Sequence, residues 1–251
     1  RRALQAGDSA AVCGLSGAGK SNALRCLTQY PPSTTPVLAV DANALPEPTA
    51  DALFVALADL LEAPEGGAPL ARLRAAIARR LAAPAARLAL AIDRFEAVAA
   101  QTAGPLRALR DAYKYRLSYV IGLRRPVDAA SELAELFFGT TIWLGPLSDD
   151  DATWTIGAFS TRRGLKWSGA VAARVMQLSG RYPSFLRATC EAHANGVELD
   201  PIALAGHPAV RARLTEFWDD RPTDDELRAC GLLPLPPIAQ RGETGPAPAA
   251  F

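Results

Sequence analysis

The chain has 251 residues, 49% hydrophobic and 21% charged, which is enough apolar material for one large domain or a core with a smaller appended unit. Its 27 basic and 26 acidic side chains leave a net charge of +1, so composition supplies no electrostatic footprint for nucleic acid or an anionic membrane. The four cysteines (Cys13, Cys26, Cys190 and Cys230) contain no CxxC pair, and the only histidines are His193 and His207, so a zinc site is not indicated. Buried thiols in a reducing compartment are expected instead. Neither a signal peptide nor an apolar run of the roughly 20 residues a membrane helix needs is visible, and a cytoplasmic protein without a membrane partner is expected.

In chain order, Arg1–Arg2 lead into a short apolar strand, Ser9–Cys13, followed by a glycine-rich loop and a helix through Asn22–Leu27. Val37–Asp41 reads as a second strand. Asp51–Glu62 has helical spacing, with Leu53, Leu57, Leu60 and Leu61 on a face, and so does Leu70–Leu81, with Leu70, Leu73, Ile77 and Leu81. Leu88–Asp93, Tyr119–Leu123 and Thr140–Leu144 have the length and apolarity of strands buried on both faces. Strands alternating with helices predict an α/β fold, a five-stranded parallel sheet flanked by helices.

The pattern changes after Pro146. Asp149–Arg163, Ser168–Leu178 and Pro183–Ala194 read as helices, with a weaker one over Val210–Trp218. Asp149, Asp150 and Asp151 suit a helix start, Ser168 an N-cap, and Pro183 a first turn. The expected organisation is a core over 1–146, a small all-α lid over 147–220, and a linker or the start of a further module over 221–251. The tail Gly245–Phe251 reads as linker, and the chain is expected to continue at both ends.

Gly14-x-x-x-x-Gly19-Lys20-Ser21 matches the whole Walker A pattern, between a strand and a helix. Glycines let the main chain curl so that its N–H groups form an anion nest, and the helix that follows aims its positive end at the same place. Ser16, Gly17, Ala18, Gly19, Lys20, Ser21 and Asn22 are therefore expected to bind ATP or ADP, Lys20 on the β/γ oxygens and the Ser21 hydroxyl on Mg²⁺. Leu88–Ala89–Leu90–Ala91–Ile92–Asp93 has the Walker B form, and Asp93 is expected to hold the same Mg²⁺, usually through water.

Two readings stand for Glu96: a carboxylate that polarises the attacking water, or a surface acid in a slow enzyme. Arg124, at the end of the fourth strand, is expected to sense the γ-phosphate; the alternative is a solvated arginine before the Pro126 turn. Tyr182 and Pro183 offer flat apolar faces to adenine, and the segment around them also reads as a helix–turn–helix corner with Gly180 as C-cap.

These motifs together resemble the AAA+/STAND group of P-loop ATPases, near the origin-recognition-like ATPases of bacteria and archaea. The resemblance rests on Gly14–Ser21, on Ile92 to Glu96, on Val120 to Arg124, on Leu144–Gly145–Pro146–Leu147–Ser148 and on Gly180 to Pro183. It implies a P-loop core with sheet order 5-1-4-3-2, a helical lid over the nucleotide, a proline near the base, and ATP/ADP exchange coupled to opening and oligomerisation. The implied partners are other domains of the same chain and a homo-oligomer in the ATP state, with DNA reached only through a module outside this segment, such as a winged helix.

The acid that many such enzymes carry directly after the Walker B aspartate is replaced here by Arg94, and no lid arginine is apparent at Pro183. These departures fit a slow nucleotide-driven switch. A DNA-associated ATPase (initiator, loader or transposition helper) and a small-molecule kinase are the competing readings.

Overall fold

The computed structural model describes residues 1–240, so the expected linker Gly245–Phe251 lies outside the described residues. The chain forms two compact units: Arg1–Gly14 with Lys20–Leu144, and Leu15–Gly19 with the described residues from 145 onward.

The first unit runs α1 (Arg2–Ala6), β1 (Ala10–Cys13), α2 (Lys20–Gln29), β2 (Val37–Asp41), α3 (Ala50–Leu60), α4 (Pro69–Arg80), β3 (Leu88–Asp93), α5 (Ala99–Tyr113), β4 (Leu117–Leu123) and β5 (Thr141–Trp143). All strand pairs are parallel, in the order β2-β3-β4-β1-β5, which is the expected 5-1-4-3-2 read from the other edge. The three inner strands are buried along their whole length, as a parallel sheet covered on both faces requires, while β2 and β5 are partly exposed edges.

Strand alternation separates the two faces by side-chain size. Leu88, Leu90 and Ile92 of β3 join Leu117, Tyr119 and Ile121 of β4 in a large cluster with Leu53 and Leu57 of α3, Leu73 and Ile77 of α4, and Leu106 and Leu109 of α5. The alternate residues Ala89, Ala91 and Val120 face Leu24 of α2 and Leu4 of α1. Alanines on this face let α2 approach the sheet, which fixes the helix that carries Lys20. Thr49 caps α3 by accepting the Ala52 N–H, and Pro69 opens α4.

Three features of this unit depart from the sequence reading. Arg1–Arg2 lead into a helix, α1, which is too short for periodicity to reveal; its Leu4 is buried. Helix α5, a stretch to which the sequence reading assigned no element, carries Gly104 and Pro105 in its interior. Its Leu106 and Leu109 face the core, and Arg110, whose guanidinium burial pushes below its usual range, donates to Gly7 O at 3.1 Å. Cys26 is exposed on α2, whereas the other three thiols are buried.

The second unit holds α6 (Asp149–Arg162), α7 (Gly169–Ser179), α8 (Pro183–Ala194), α9 (Pro201–Gly206), α10 (Pro208–Asp219) and α11 (Asp224–Ala229), and no strand among its described residues. Ser148 and Ser168 cap α6 and α7, and Gly180 closes α7 at φ 58°. A side chain at Gly180 would also run into Pro236. Helices α6, α7 and α8 meet through Ile156, Phe159, Val175, Leu186 and Cys190. The stretch 221–240 is packed rather than extended: Leu227, Leu232 and Ile238 are buried, and Thr223 and Glu226 form a full capping box on α11.

Two measurements test this packing. The Tyr119 hydroxyl donates to Leu106 O at 2.8 Å in the core, and burial pushes its phenol well above the ordinary range. Tyr119→Phe should cost about 1–2 kcal/mol in urea unfolding at pH 8. Because the folded phenol resists ionisation while the unfolded one ionises near pH 10, the wild-type advantage should narrow as pH rises above about 10. Separately, burial pushes the Cys190 thiol up to about 12, and Cys13 and Cys230 are also buried. A maleimide at neutral pH should therefore label Cys26 alone until the chain is unfolded, with the site read by peptide mass spectrometry.

Candidate functional site

The glycine-rich loop leaves the C-terminal end of β1, where ligands collect in open parallel sheets. Gly17 at φ 84° and Gly19 at φ 93° are left-handed, a conformation that side chains disfavour. The Ala18 N–H donates to Leu15 O at 3.1 Å and tightens the curl. Lys20 opens α2, and its ammonium donates to Gly14 O at 2.8 Å, back across the start of the loop. Ser21 is half-buried in the same first turn, and Asn22 is exposed.

β3 delivers Asp93, only 7% exposed, at its C-terminal end, in register with Asp41 of β2. The Asp93 carboxylate accepts the Arg94 N–H at Oδ1, 3.0 Å away. Arg94 is itself left-handed, at φ 53°, and its guanidinium lies 4.0 Å from Asp41. The place where an acid would follow the Walker B aspartate is thus filled by a cation that pairs with the neighbouring strand.

Gly122 of β4 explains how the carboxylate fits. A Cβ there would come within 2.6 Å of Asp93 Oδ1 and 3.1 Å of the Leu24 side chain. Asp93 and Leu24 thus converge on a position that must stay empty, which sets the carboxylate beside α2, one helical turn beyond Ser21. Sequence reading named Gly122 within a motif but gave it no task; a glycine inside a buried strand was the available signal. Glu96 is exposed on the turn Phe95–Ala97, and Arg124 is half-buried just past β4.

Within the second unit, α8 and the end of α10 hold the middle of the loop. The Tyr182 hydroxyl donates to Ser16 O at 2.8 Å, and the Ser184 N–H donates to Gly17 O at 3.2 Å. The Ser16 N–H donates to Asp220 Oδ2 at 2.9 Å. A side chain at Gly17 would collide with Ser184, a second reason for glycine there. Tyr182 is fully buried, its ring packed on Phe185 and Phe217, while Pro183, the first residue of α8, is half-buried. Ser184 and Asp220 were missed because their contacts are long-range and carry no sequence spacing.

Chemically, the loop carries main-chain N–H groups, that of Ser16 already on a carboxylate oxygen, and the first unit by itself carries the Lys20 ammonium at the start of α2 and the Asp93 carboxylate at a strand end beside α2. Such parts suit a polyphosphate and a hydrated divalent cation. Gly122→Ala should push the Asp93 carboxylate from its place and weaken Mg²⁺-dependent nucleotide affinity by about tenfold or more. Calorimetry with and without Mg²⁺ measures this, and the Mg²⁺-independent part of binding should change little.

Comparison with known proteins bears on the fold and the family. The sequence profile of the AAA domain matches residues 4–140. No curated protein sequence matches the chain. Among solved structures, a Walker-type ATPase of Pyrococcus abyssi superposes with TM-score 0.58 at 14% identity, over 87% of this chain and 70% of that one. Cdc6p of Pyrobaculum aerophilum gives 0.54 at 16% identity, over 83% of this chain and 60% of its own length. The RuvB Holliday junction branch migration motor of Thermotoga maritima gives 0.51 at 14% identity, over 95% and 67%. These likenesses, all far below 25% identity, are likenesses of fold. No helix among the described residues is long and apolar enough to cross a membrane. With its five-stranded P-loop sheet, its Walker A loop and a family match over more than half its length, the chain belongs to the AAA family of P-loop ATPase domains.

Proposed function

We propose that this AAA domain is a slow, nucleotide-dependent conformational switch of a multidomain regulator, loaded with ATP or ADP and Mg²⁺. The observation that carries the reading is a full Walker A pattern together with an incomplete hydrolytic set. Gly17 and Gly19 hold the loop in its curled form, yet Arg94, engaged with Asp41, stands where a water-activating acid would follow Asp93. The residues present fit a bound polyphosphate, because the Ser16 N–H already holds an anionic oxygen, that of Asp220.

In this reading, the N–H groups of Ser16 to Lys20 and the Lys20 ammonium bind the phosphates. Ser21 and Asp93 hold the cation, which neutralises polyphosphate charge. Glu96 orients water, Arg124 responds to the γ-phosphate, and Tyr182 and Pro183 lie toward the base. Self-association in the ATP state and communication with flanking domains belong to the same proposal.

The fold likeness to Cdc6p and to a RuvB branch migration motor favours a second reading, a DNA-associated ATPase. The near-balanced charge weighs against direct DNA contact by these residues.

Isothermal calorimetry should detect ATP and ADP binding by the wild type and lose it with Lys20→Ala. Steady-state turnover should stay below about one per second. Faster turnover without any partner would refute the switch, and tight, salt-sensitive DNA binding by these residues would favour the second reading.

A further inference from the structure

The partner of the Ser16 N–H is a carboxylate. In a loop shaped to receive phosphate oxygens, the anionic acceptor at this N–H is Asp220 Oδ2, 2.9 Å away. The contact spans 204 residues, so no local turn produces it.

The end of α10 is built against local preference in order to make it. The helix finishes at Asp219 with Asp220 as its cap, so two acids sit at its negative pole, where charge of that sign is unfavourable. The next residue, Arg221, is left-handed at φ 46° without being glycine, and its N–H donates back to Trp218 O at 3.0 Å. The aromatic rings of Tyr182, Phe185 and Phe217 lock this end of α10 onto the start of α8, and Trp218 packs edge-on against Phe217. The same start of α8 holds the loop through Tyr182 and Ser184. Local rules are broken where Asp220 is delivered, and a rigid cluster fixes the delivery.

We propose that Asp220 is an internal occupant of the anion nest, a carboxylate that takes the place of a nucleotide phosphate oxygen at Ser16 and must leave before a polyphosphate can enter. The inference rests on the nucleotide-binding reading above and deepens it by naming what regulates the site. Both ligands are anionic oxygen acceptors for one N–H, so they exclude each other. Asp220 also borders an open groove of about 680 Å³ along α10, lined by Arg211, Thr215, Glu216 and Asp219, into which the displaced side chain can turn. The wild-type affinity for nucleotide is thereby lowered, though not abolished, until the end of α10 moves.

The test is calorimetric affinity for Mg-ADP and Mg-ATP in the wild type, Asp220→Asn, Asp220→Ser, Asp219→Asn and Lys20→Ala, each checked for an intact thermal transition. Removing the carboxylate charge in either Asp220 variant should tighten binding about tenfold or more, the gain from freeing a charge-assisted donor. Asp219→Asn, which removes an equal charge one residue away, should change affinity less than about threefold on the same scale. Two Asp220 variants guard against one of them failing to fold. Unchanged or weaker binding in both, with the wild type still binding nucleotide, overturns the occupant and leaves the nucleotide reading standing. Equal tightening by Asp219→Asn overturns it too, since bulk charge then explains the gain. If no protein in the series binds more than Lys20→Ala does, the nucleotide reading falls and the occupant falls with it.

Discussion

The left-handed backbone at Gly17 is the constraint from which the site follows. At φ 84° the loop curls, with the Ala18 N–H donating to Leu15 O, and the Gly17 carbonyl accepts from the Ser184 N–H. Neither would survive a side chain, for conformational reasons and because Ser184 occupies the space it would need. The adjoining Ser16 carries the strain outward: its carbonyl accepts from Tyr182 and its N–H donates to Asp220. Every polar group of this short segment that the contacts above involve is matched by a partner of the right kind, as buried main chain requires.

The sheet supports this by a division of side-chain size. Leucines and isoleucines of β3 and β4 build the thick core on one face, while Ala89 and Ala91 keep the other face thin. α2 lies on the thin face, and Leu24 seats it there, so the position of Lys20 and Ser21 depends on residues with no chemistry of their own. Gly122 extends the logic to its limit, a position where even a methyl group would crowd the Asp93 carboxylate. The acid and the helix are thus placed by the same shortage of side-chain volume.

The parallel sheet was legible because each strand is a short apolar run alternating with helices, whereas its order came from the family resemblance alone. Helices whose periodic faces meet a core, such as α3 and α4, were legible for the same reason. Helix α5 was not, since Pro105 and Gly104 oppose its local propensity and only the burial of Leu106 and Leu109 decides for helix. Short helices such as α1, α9 and α11 offer too few turns for a period to emerge. In the site, the loop residues announce themselves by spacing, whereas Asp220, Ser184 and the clearance at Gly122 arise from contacts between distant segments. The exposure of Cys26 was misread for a related reason: thiol burial is a habit of composition, and helix phase decides the individual case.

That exposure has a practical side. Cys26 sits six residues along α2 from Lys20, about 9 Å of helix rise, and points to solvent rather than into the thin face that seats the helix. It is a natural attachment point for a fluorophore or spin label on the helix that begins at Lys20. Because Leu24 and not Cys26 belongs to the buried cluster, a label at Cys26 gives spectroscopic access to this helix without engineering a new cysteine.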